Sequence, residues 1–285
     1  MIPDSVTSVY GGAFDDCEGL REVSFPITTA PQGFEGCKNV EKITFTKGSN
    51  GVGFNIDKKD MDIYLMYFSR YACKEVIFGE GVRSIGTFML YQMIMIDTVV
   101  FPSTLETINR GFMENCTGLS ELTIPDNVKK IQKYAFKNCS SLSHLSIPIS
   151  LNAVSDTDSD HYPFAKCTNL REVVFTAGTG YGYQYNLKEI KGSPWYLSRN
   201  VLTGVTFDEG VKELSPYLCY GCTKLTSVTF SEGVETISNS SFEGCSELIR
   251  ITLPHSLHNI EMNAFKDCSY LEEVKFGEIM VLGLH

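Results

Sequence analysis

The chain has 285 residues, a net charge of −10 and a hydrophobic content of 43%. This content is sufficient for a core, whereas the acidic surface repels phosphate backbones and argues against nucleic acid as a partner. No apolar run approaches the roughly 18 residues that a membrane-spanning helix needs, so membrane insertion is not expected.

A short repeat, most often 23 residues long, recurs eleven times along the chain. Each copy has five apolar positions: the last residue of an expected strand, and the residues 2, 5, 8 and 11 places before it. The first copy has Phe14, Cys17, Leu20, Val23 and Phe25 at these positions. A unit this small cannot bury its own apolar face, so the copies are predicted to stack into one solenoid.

A short strand is expected at the end of each copy, because the last two apolar positions are two residues apart and therefore share one face. Proline often follows and is expected to stop the ladder, since it lacks an N–H group. The expected strands end at Phe25, Phe45, Phe78, Phe101, Ile124, Ile147, Phe175, Phe207, Phe230, Leu253 and Phe276. The prolines that follow them are Pro26, Pro102, Pro125, Pro148 and Pro254.

Between strands, each copy is predicted to contain a turn, an apolar Val or Leu with an Ile, a short Ala-Phe segment and a second turn. The second turn is marked by the Asp, Gly or Asn that precedes the Cys in most copies. Two copies are loose. Tyr67 and Arg70 stand at the Phe and Cys positions of one, and Tyr196 and Arg199 stand there in the other.

A second level of repetition indicates that a block of five coils has been duplicated. The strand ends from Phe45 to Ile147 recur from Phe175 to Phe276, shifted by 129 or 130 positions. We expect a single solenoid domain over residues 1–285, with blocks that end near residues 147 and 276. The pattern is interrupted by three irregular segments, 46–66, 155–163 and 176–195.

The pattern Ile-x4-Phe-x2-Cys-x2-Leu-x2-Ile-x-Leu-Pro from Ile237 to Pro254 resembles the BspA-like, or Treponema-type, leucine-rich-repeat surface proteins. The resemblance extends over nearly the whole chain. It implies a leucine-rich-repeat solenoid of the α/β type, right-handed and curved, with about eleven coils of short parallel β-strands, turns and short helical segments. It also implies export and a non-enzymatic role in adhesion, with a host matrix protein, a cell-surface protein or a glycan as partner.

The start of the chain fits this expectation of export. No signal peptide is present, and Ile2-Pro3 occupies the place that Leu253-Pro254 occupies at the end of a strand. The sequence therefore opens in the middle of a repeat. We expect that it was cut from a longer exported precursor and that the protein lies outside the cell or on its surface.

Ten cysteines invite a disulfide interpretation in an exported protein. They lie on core positions of the repeat, however, and Met93 replaces one of them. Stacked coils would hold their side chains parallel, with Cβ atoms too far apart for a bridge. We predict buried thiols. The same reasoning makes Cys219 and Cys222 core residues of the repeat instead of a redox or zinc motif, because no second ligand pair accompanies them.

Other motifs also receive structural interpretations. The alternating Asp residues of segment 156–161 lack the Gly and Glu of a calcium loop, so a solvated acidic loop is expected. The sequons at Asn115 and Asn138 follow from Asn as a turn residue and Cys as a core residue. No catalytic constellation, metal site or cofactor site is predicted, and the chain is not expected to be an enzyme.

Two surfaces are candidates for binding a partner. One is the concave face of the sheet, where a polar row includes Glu121, His144 and Glu172. Ordinary solvated strand faces would explain this row equally well. The other is a set of aromatic residues in an irregular segment, which can stack on sugars or anchor proteins, or else pack over a distorted part of the solenoid. These residues are Tyr181, Tyr183, Tyr185 and Trp195.

Two alternatives to the adhesion module remain open at this stage. The solenoid could be a structural spacer that presents other domains, in which case its faces bind nothing. It could also be an intracellular scaffold for protein interactions, because abundant thiols suit a reducing compartment. The sequence leaves the ligand and the oligomeric state undetermined.

Overall fold

The computed structural model of the chain describes residues 1–150, 152–153, 162–177 and 198–277. In this part of the chain, eleven strands of three to five residues lie at the predicted strand positions. Each contains the predicted strand end or stops one residue before it. They are β1 (Glu22–Pro26), β2 (Lys42–Thr46), β3 (Glu75–Phe78), β5 (Thr98–Val100), β7 (Glu121–Thr123), β9 (His144–Pro148), β11 (Glu172–Thr176), β12 (Gly204–Phe207), β13 (Ser227–Phe230), β15 (Arg250–Leu253) and β17 (Glu273–Phe276).

These strands form parallel sheets in which each coil pairs with its neighbours. The orders are β1-β2-β3-β5, then β7-β9-β11-β12-β13, then β15-β17. The register places equal positions of the repeat side by side, so that Phe25 lies opposite Phe45 and Phe45 opposite Phe78. This arrangement confirms the predicted leucine-rich-repeat solenoid. The ladder has two interruptions, because β5 is not paired with β7, nor β13 with β15.

A second, narrower set of strands was not predicted. Six two-residue strands form where the sequence showed only an apolar anchor, and they pair in the orders β10-β8-β6-β4 and β14-β16. They run parallel across the coils and give the solenoid a second line of backbone hydrogen bonds. They are β4 (Ser84–Ile85), β6 (Thr107–Ile108), β8 (Lys130–Ile131), β10 (Asn152–Ala153), β14 (Thr236–Ile237) and β16 (Asn259–Ile260).

Two short helical segments lie at Lys58–Ile63 and Leu65–Ser69, whereas the described coils have turns at the Ala-Phe segment. Two residues with positive φ, four apart, recur there, as in Gly111 (63°) with Asn115 (68°) and Tyr134 (63°) with Asn138 (60°). A residue in the left-handed region cannot continue a right-handed helix. Asn and Gly adopt this conformation most readily, so the Asp, Gly or Asn before the Cys marks a turn, as expected.

The turns themselves are hydrogen-bonded from one coil to the next. The N–H groups of Gly111, Met113 and Asn115 donate to the carbonyls of Lys133, Ala135 and Lys137 at 3.1, 2.6 and 2.8 Å, respectively. The backbone of each such coil is therefore held at three places: the long strand, the short strand and the turn.

The prediction that proline stops the ladder is wrong in two cases. Strands β1 and β9 include Pro26 and Pro148 as their last residues. The residue after each proline then donates to the neighbouring coil, with Ile27 N–H reaching Thr46 O at 2.8 Å. At each of these ladder positions the residue after the proline donates the hydrogen bond to the next coil. The proline is not the donor, so its lack of an N–H group costs the ladder no hydrogen bond.

The core consists of the repeat positions, stacked in columns. Phe207 is fully buried, and its ring lies parallel to those of Phe175 and Phe230 at 5.1 and 5.2 Å between centroids. Four register residues predicted as core are instead exposed, namely Phe14, Cys17, Val274 and Phe276. They belong to the first and last coils, which have a neighbouring coil on one side only within the described residues.

The irregular segment 46–66 packs against the solenoid. It contains a 3-10 helix at Lys58–Ile63, and α1 (Leu65–Ser69) follows it. Lys58 pairs with Glu114 at 2.8 Å, and its ammonium group lies 4.5 Å from the centre of the Tyr91 ring. The helix also changes the local register, since Met66 is fully buried whereas Tyr67, predicted as core, is half-buried.

Candidate interaction surface

The first and third residues of each long strand point away from the core, whereas the second and fourth point into it. Glu121 lies opposite His144, and His144 opposite Glu172, on the neighbouring strands β7, β9 and β11. Glu121 and His144 are exposed and Glu172 is half-buried. The structure therefore brings together the three predicted residues of the polar row, at the spacing of adjacent strands, about 4.8 Å.

Glu172 leans away from His144, toward β12. Its carboxylate accepts a hydrogen bond from Thr203 Oγ1 at 3.1 Å. A Cβ atom built on Gly204 would overlap the Glu172 carboxylate, so the absence of a side chain at Gly204 makes this position available. The row is thus continuous from β7 to β11, and then the Glu172 side chain covers the place of the next member.

Toward the two ends of the row, two ion pairs join charged members, although the exposed Glu22 of β1 is in neither. Lys42 pairs with Glu75 at 2.9 Å, and this hydrogen bond raises the pKa of Lys42. Arg250 lies 3.6 Å from Glu273, whose pKa is lowered chiefly by a hydrogen bond from Lys275. In contrast, Glu121 has no ion pair or hydrogen bond through its side chain with any described residue. The centre of the row therefore presents an uncompensated carboxylate beside an exposed imidazole.

The predicted aromatic residues Tyr181, Tyr183, Tyr185 and Trp195 lie outside the described residues, as do the acidic segment 156–161 and Tyr196. The structure does describe the aromatic residues at the corresponding place in the first block, in and next to the irregular segment 46–66. The ring of Phe54 stacks on buried Tyr64 at 6.1 Å, and the Arg70 guanidinium lies 3.7 Å from the centre of the Tyr67 ring. In the first block, then, the aromatic residues pack on the solenoid and on one another.

The cysteines share one hydrogen bond that the sequence did not reveal. The thiols of Cys116, Cys139 and Cys167 donate to the carbonyls of Leu90, Met113 and Phe136 at 2.9, 3.3 and 3.2 Å. Each acceptor occupies the Phe position of the preceding coil. A weak donor that is also a small apolar group satisfies this site, which explains why Cys recurs there.

Burial also makes these thiols poor nucleophiles. It raises the pKa of Cys73 to about 12. The neighbouring Cys167 thiol, together with burial, raises the pKa of Cys139 well above its ordinary value. Burial is the main cause of the raised pKa of Cys219, followed by the neighbouring Cys222 thiol. These two cysteines are core residues, as predicted.

We expect Cys17 to react first, and Cys139 and Cys219 slowly, when the native protein is treated with iodoacetamide at pH 8. Thiolate is the reactive form, and Cys17 is exposed whereas Cys139 and Cys219 are buried with raised pKa values. Peptide mass spectrometry at several times would measure this. In 6 M guanidinium chloride all ten cysteines should react. Rapid labelling of Cys139 in the native state would contradict the packing described here.

A cleft on another side of the solenoid was missed by the sequence reasoning. It has a volume of about 380 Å³ and lies between the turns that follow the long strands and the short strands β4, β6 and β8. Its charged residues lie outside the five apolar positions of the repeat. Their regular spacing, however, is visible in the sequence. Arg83, Glu106 and Lys129 are 23 residues apart and alternate in charge. The lining residues are Lys47, Gly81, Arg83, Thr104, Glu106, Asn127 and Lys129.

Two further kinds of site are not found in the described part of the chain. No group of three or more His, Cys, Asp or Glu side chains is placed to hold a metal ion there. The helices in the same residues are all too short or too polar to span a bilayer.

A stack of short parallel strands, paired coil to coil, with apolar repeat positions in columns, defines the class of leucine-rich-repeat proteins. The family model described as "BspA type Leucine rich repeat region" matches residues 1–56, 61–185 and 188–282, with six copies. The chain belongs to this family. A comparison with curated proteins finds no match.

Several solved structures are similar to the chain. A leucine-rich repeat protein from Bacteroides ovatus has 19% identity and a TM-score of 0.38, over 95% of this chain and 78% of that one. A leucine rich cell surface protein from Faecalibacterium prausnitzii has 14% identity and a TM-score of 0.37, over 96% and 84%. The leucine-rich repeat protein of Treponema pallidum has 18% identity and a TM-score of 0.36, over 85% and 82%. The family assignment rests on the family model.

Proposed function

We propose that this protein is a non-enzymatic recognition module, secreted or held at the cell surface, that binds a protein or a glycan. The BspA-type family supports a protein-interaction or adhesion role, and the similar protein from Faecalibacterium prausnitzii is described as a cell surface protein. The binding surface is the outward face of β7, β9 and β11, with Tyr181, Tyr183, Tyr185 and Trp195 as a second contact region.

One observation carries the proposal. Ion pairs join other charged members of the polar row, Lys42 with Glu75 and Arg250 with Glu273. The central Glu121 has no such partner in the described residues. A charged group without an internal partner is free to form a complementary contact, and such contacts give specificity and speed association. A spacer would need no such group.

The test is binding of the purified protein to an array of host matrix proteins and glycans, with variants of the row. Saturable binding to one class is expected. Glu121→Lys combined with Glu172→Lys should weaken it by roughly tenfold, which corresponds to about 1.4 kcal/mol. Trp195→Ala tests the second contact region. Circular dichroism would show that each variant is folded.

A matched control separates the row from the overall charge. Glu209→Lys changes an exposed residue in the turn after β12, whose side chain forms no hydrogen bond or ion pair with a described residue. Binding should be unaffected by this change. The comparison is with Glu121→Lys alone, which changes the net charge by the same amount. Equal weakening by Glu209→Lys and by Glu121→Lys would attribute binding to net charge. A folded protein that binds nothing on the array would favour the spacer.

A further inference from the structure

The cleft described above has a positive charge that the protein as a whole does not have. Glu106 lies between two cations, with Arg83 Nε at 3.2 Å and Lys129 Nζ at 3.9 Å. One carboxylate compensates only one of them. Lys47, the third cation of the lining, has no ion pair with any described residue. The cleft thus has a formal charge of +2 in a protein of net charge −10.

The backbone of the cleft fixes its wall and leaves room for the Lys47 side chain. Gly81 has a φ of 89°, and a Cβ atom built on it would lie 2.7 Å from Lys47 Cδ, so the Lys47 side chain runs directly over this glycine. The N–H group of Gly81 donates to Thr104 Oγ1 at 2.9 Å, and that hydroxyl donates to Val82 O at 2.9 Å. Little reordering is needed before a ligand can enter.

The equivalent place in the second block shows that the solenoid does not require this charge. Residues 129 or 130 positions later give Ala177 for Lys47, Lys212 for Arg83, Glu235 for Glu106 and His258 for Lys129. The ion pair persists, with Lys212 Nζ 3.4 Å from Glu235. The two flanking lysines are absent. The ion pair is therefore part of the stacking, whereas Lys47 and Lys129 are additions of the first block.

We infer that this cleft binds the carboxylate or sulfate group of a short acidic sugar. Arg83 offers the planar guanidinium that suits such groups, and Lys47 and Lys129 flank it. A volume of about 380 Å³ is near the lower end of ligand sites, which are roughly 300–1,000 Å³, and holds one or two sugar units. The Asn127 side-chain oxygen can accept a hydrogen bond from a sugar hydroxyl, whereas the Thr104 hydroxyl is already held by Gly81 and Val82. A long polyanion is disfavoured because the net charge of −10 repels it.

This inference is separate from the sheet face, because the cleft and the polar row share no residue. If Glu121→Lys did not affect binding, the inference about the cleft would still stand. If the cleft variants did not affect binding, the proposal for the polar row would still stand.

The test is isothermal titration of the full chain with defined probes at equal concentration. These are a disaccharide with one uronic acid, lactose carrying one sulfate, unmodified lactose, inorganic sulfate and a hexaglutamate peptide. We expect one-to-one binding of at least one acidic sugar, weakened at higher salt, and none of unmodified lactose. The uronic-acid and sulfate arms identify which anionic group is preferred.

Two exposed residues give the variants, so folding should not be affected. Lys47→Ala combined with Lys129→Ala should weaken binding at least tenfold, whereas Lys212→Ala in the second block should leave it unchanged. No binding of either acidic sugar at millimolar concentration would overturn the inference. So would equal binding of inorganic sulfate, binding of the peptide alone, or equal loss with Lys212→Ala.

Discussion

Replacement of Phe207 by Ala should lower the free energy of unfolding by about 3–5 kcal/mol. The ring is fully buried between those of Phe175 and Phe230, and it meets the Phe242 ring edge to face with 6.4 Å between the two centroids. Its loss leaves a cavity in the middle of an aromatic column, where stacked coils on both sides prevent collapse. Urea denaturation followed by circular dichroism measures the change.

Thr206→Ala is the matched control for this prediction. Thr206 is the preceding residue of β12 and points outward, half-buried. Its replacement should alter the free energy of unfolding by less than about 1 kcal/mol. Similar effects of the two changes would contradict the assignment of inward and outward positions along the strand.

Gly86→Ala should have the second large effect, and it should be local. A methyl group at this position would overlap the carbonyl oxygen of Phe54. The φ of Gly86 is not positive, so the cost comes from the close approach of two backbones and not from its own conformation. Two hydrogen bonds near this approach, Gly53 N–H to Ser84 O at 2.7 Å and Ile56 N–H to Thr87 O at 3.0 Å, should be weakened.

The expected result is a loss of about 1–3 kcal/mol, the usual cost of overpacking, together with faster hydrogen exchange in residues 53–56. The coils that follow Ile108 should keep their protection. Gly19→Ala is the control, because a Cβ atom there would meet nothing within 4 Å and the φ of Gly19 is not positive. It should be neutral or slightly stabilising. Equal exchange rates in Gly86→Ala and the unaltered protein would refute the prediction.

The strands and their register could be predicted from sequence because one rule covers every coil. Two apolar positions, two residues apart, define the inward face, and stacking then sets Phe25 beside Phe45 and Phe45 beside Phe78. The two-residue strands, from β4 to β10 in one set and β14 with β16 in the other, could not be predicted in this way. Two residues are too few to show an alternation of inward and outward positions. The turn before the Cys could be predicted because Asn and Gly tolerate positive φ, as at Asn138, whereas the first turn residue, such as Tyr134 with a φ of 63°, carries no such signal.

The candidate surfaces were predicted only in part. Alignment of Glu121, His144 and Glu172 follows from the register alone. The direction of the Glu172 side chain does not, because it depends on Gly204 and on the Thr203 hydroxyl. The cleft is formed by side chains at turn positions of consecutive coils. These positions are not apolar, so the apolar repeat does not reveal them.

The two interruptions of the long sheet have a consequence for how the molecule can bend. Strands β7, β9, β11, β12 and β13 form one uninterrupted segment, and unpaired boundaries separate it from β5 and from β15. At each boundary the coils remain joined by the short-strand pairs β6-β8 and β14-β16, so bending there opens the long-strand side without breaking a long-strand pair. The residues Glu121, His144 and Glu172 lie within one run of paired long strands, and such bending leaves their spacing unchanged.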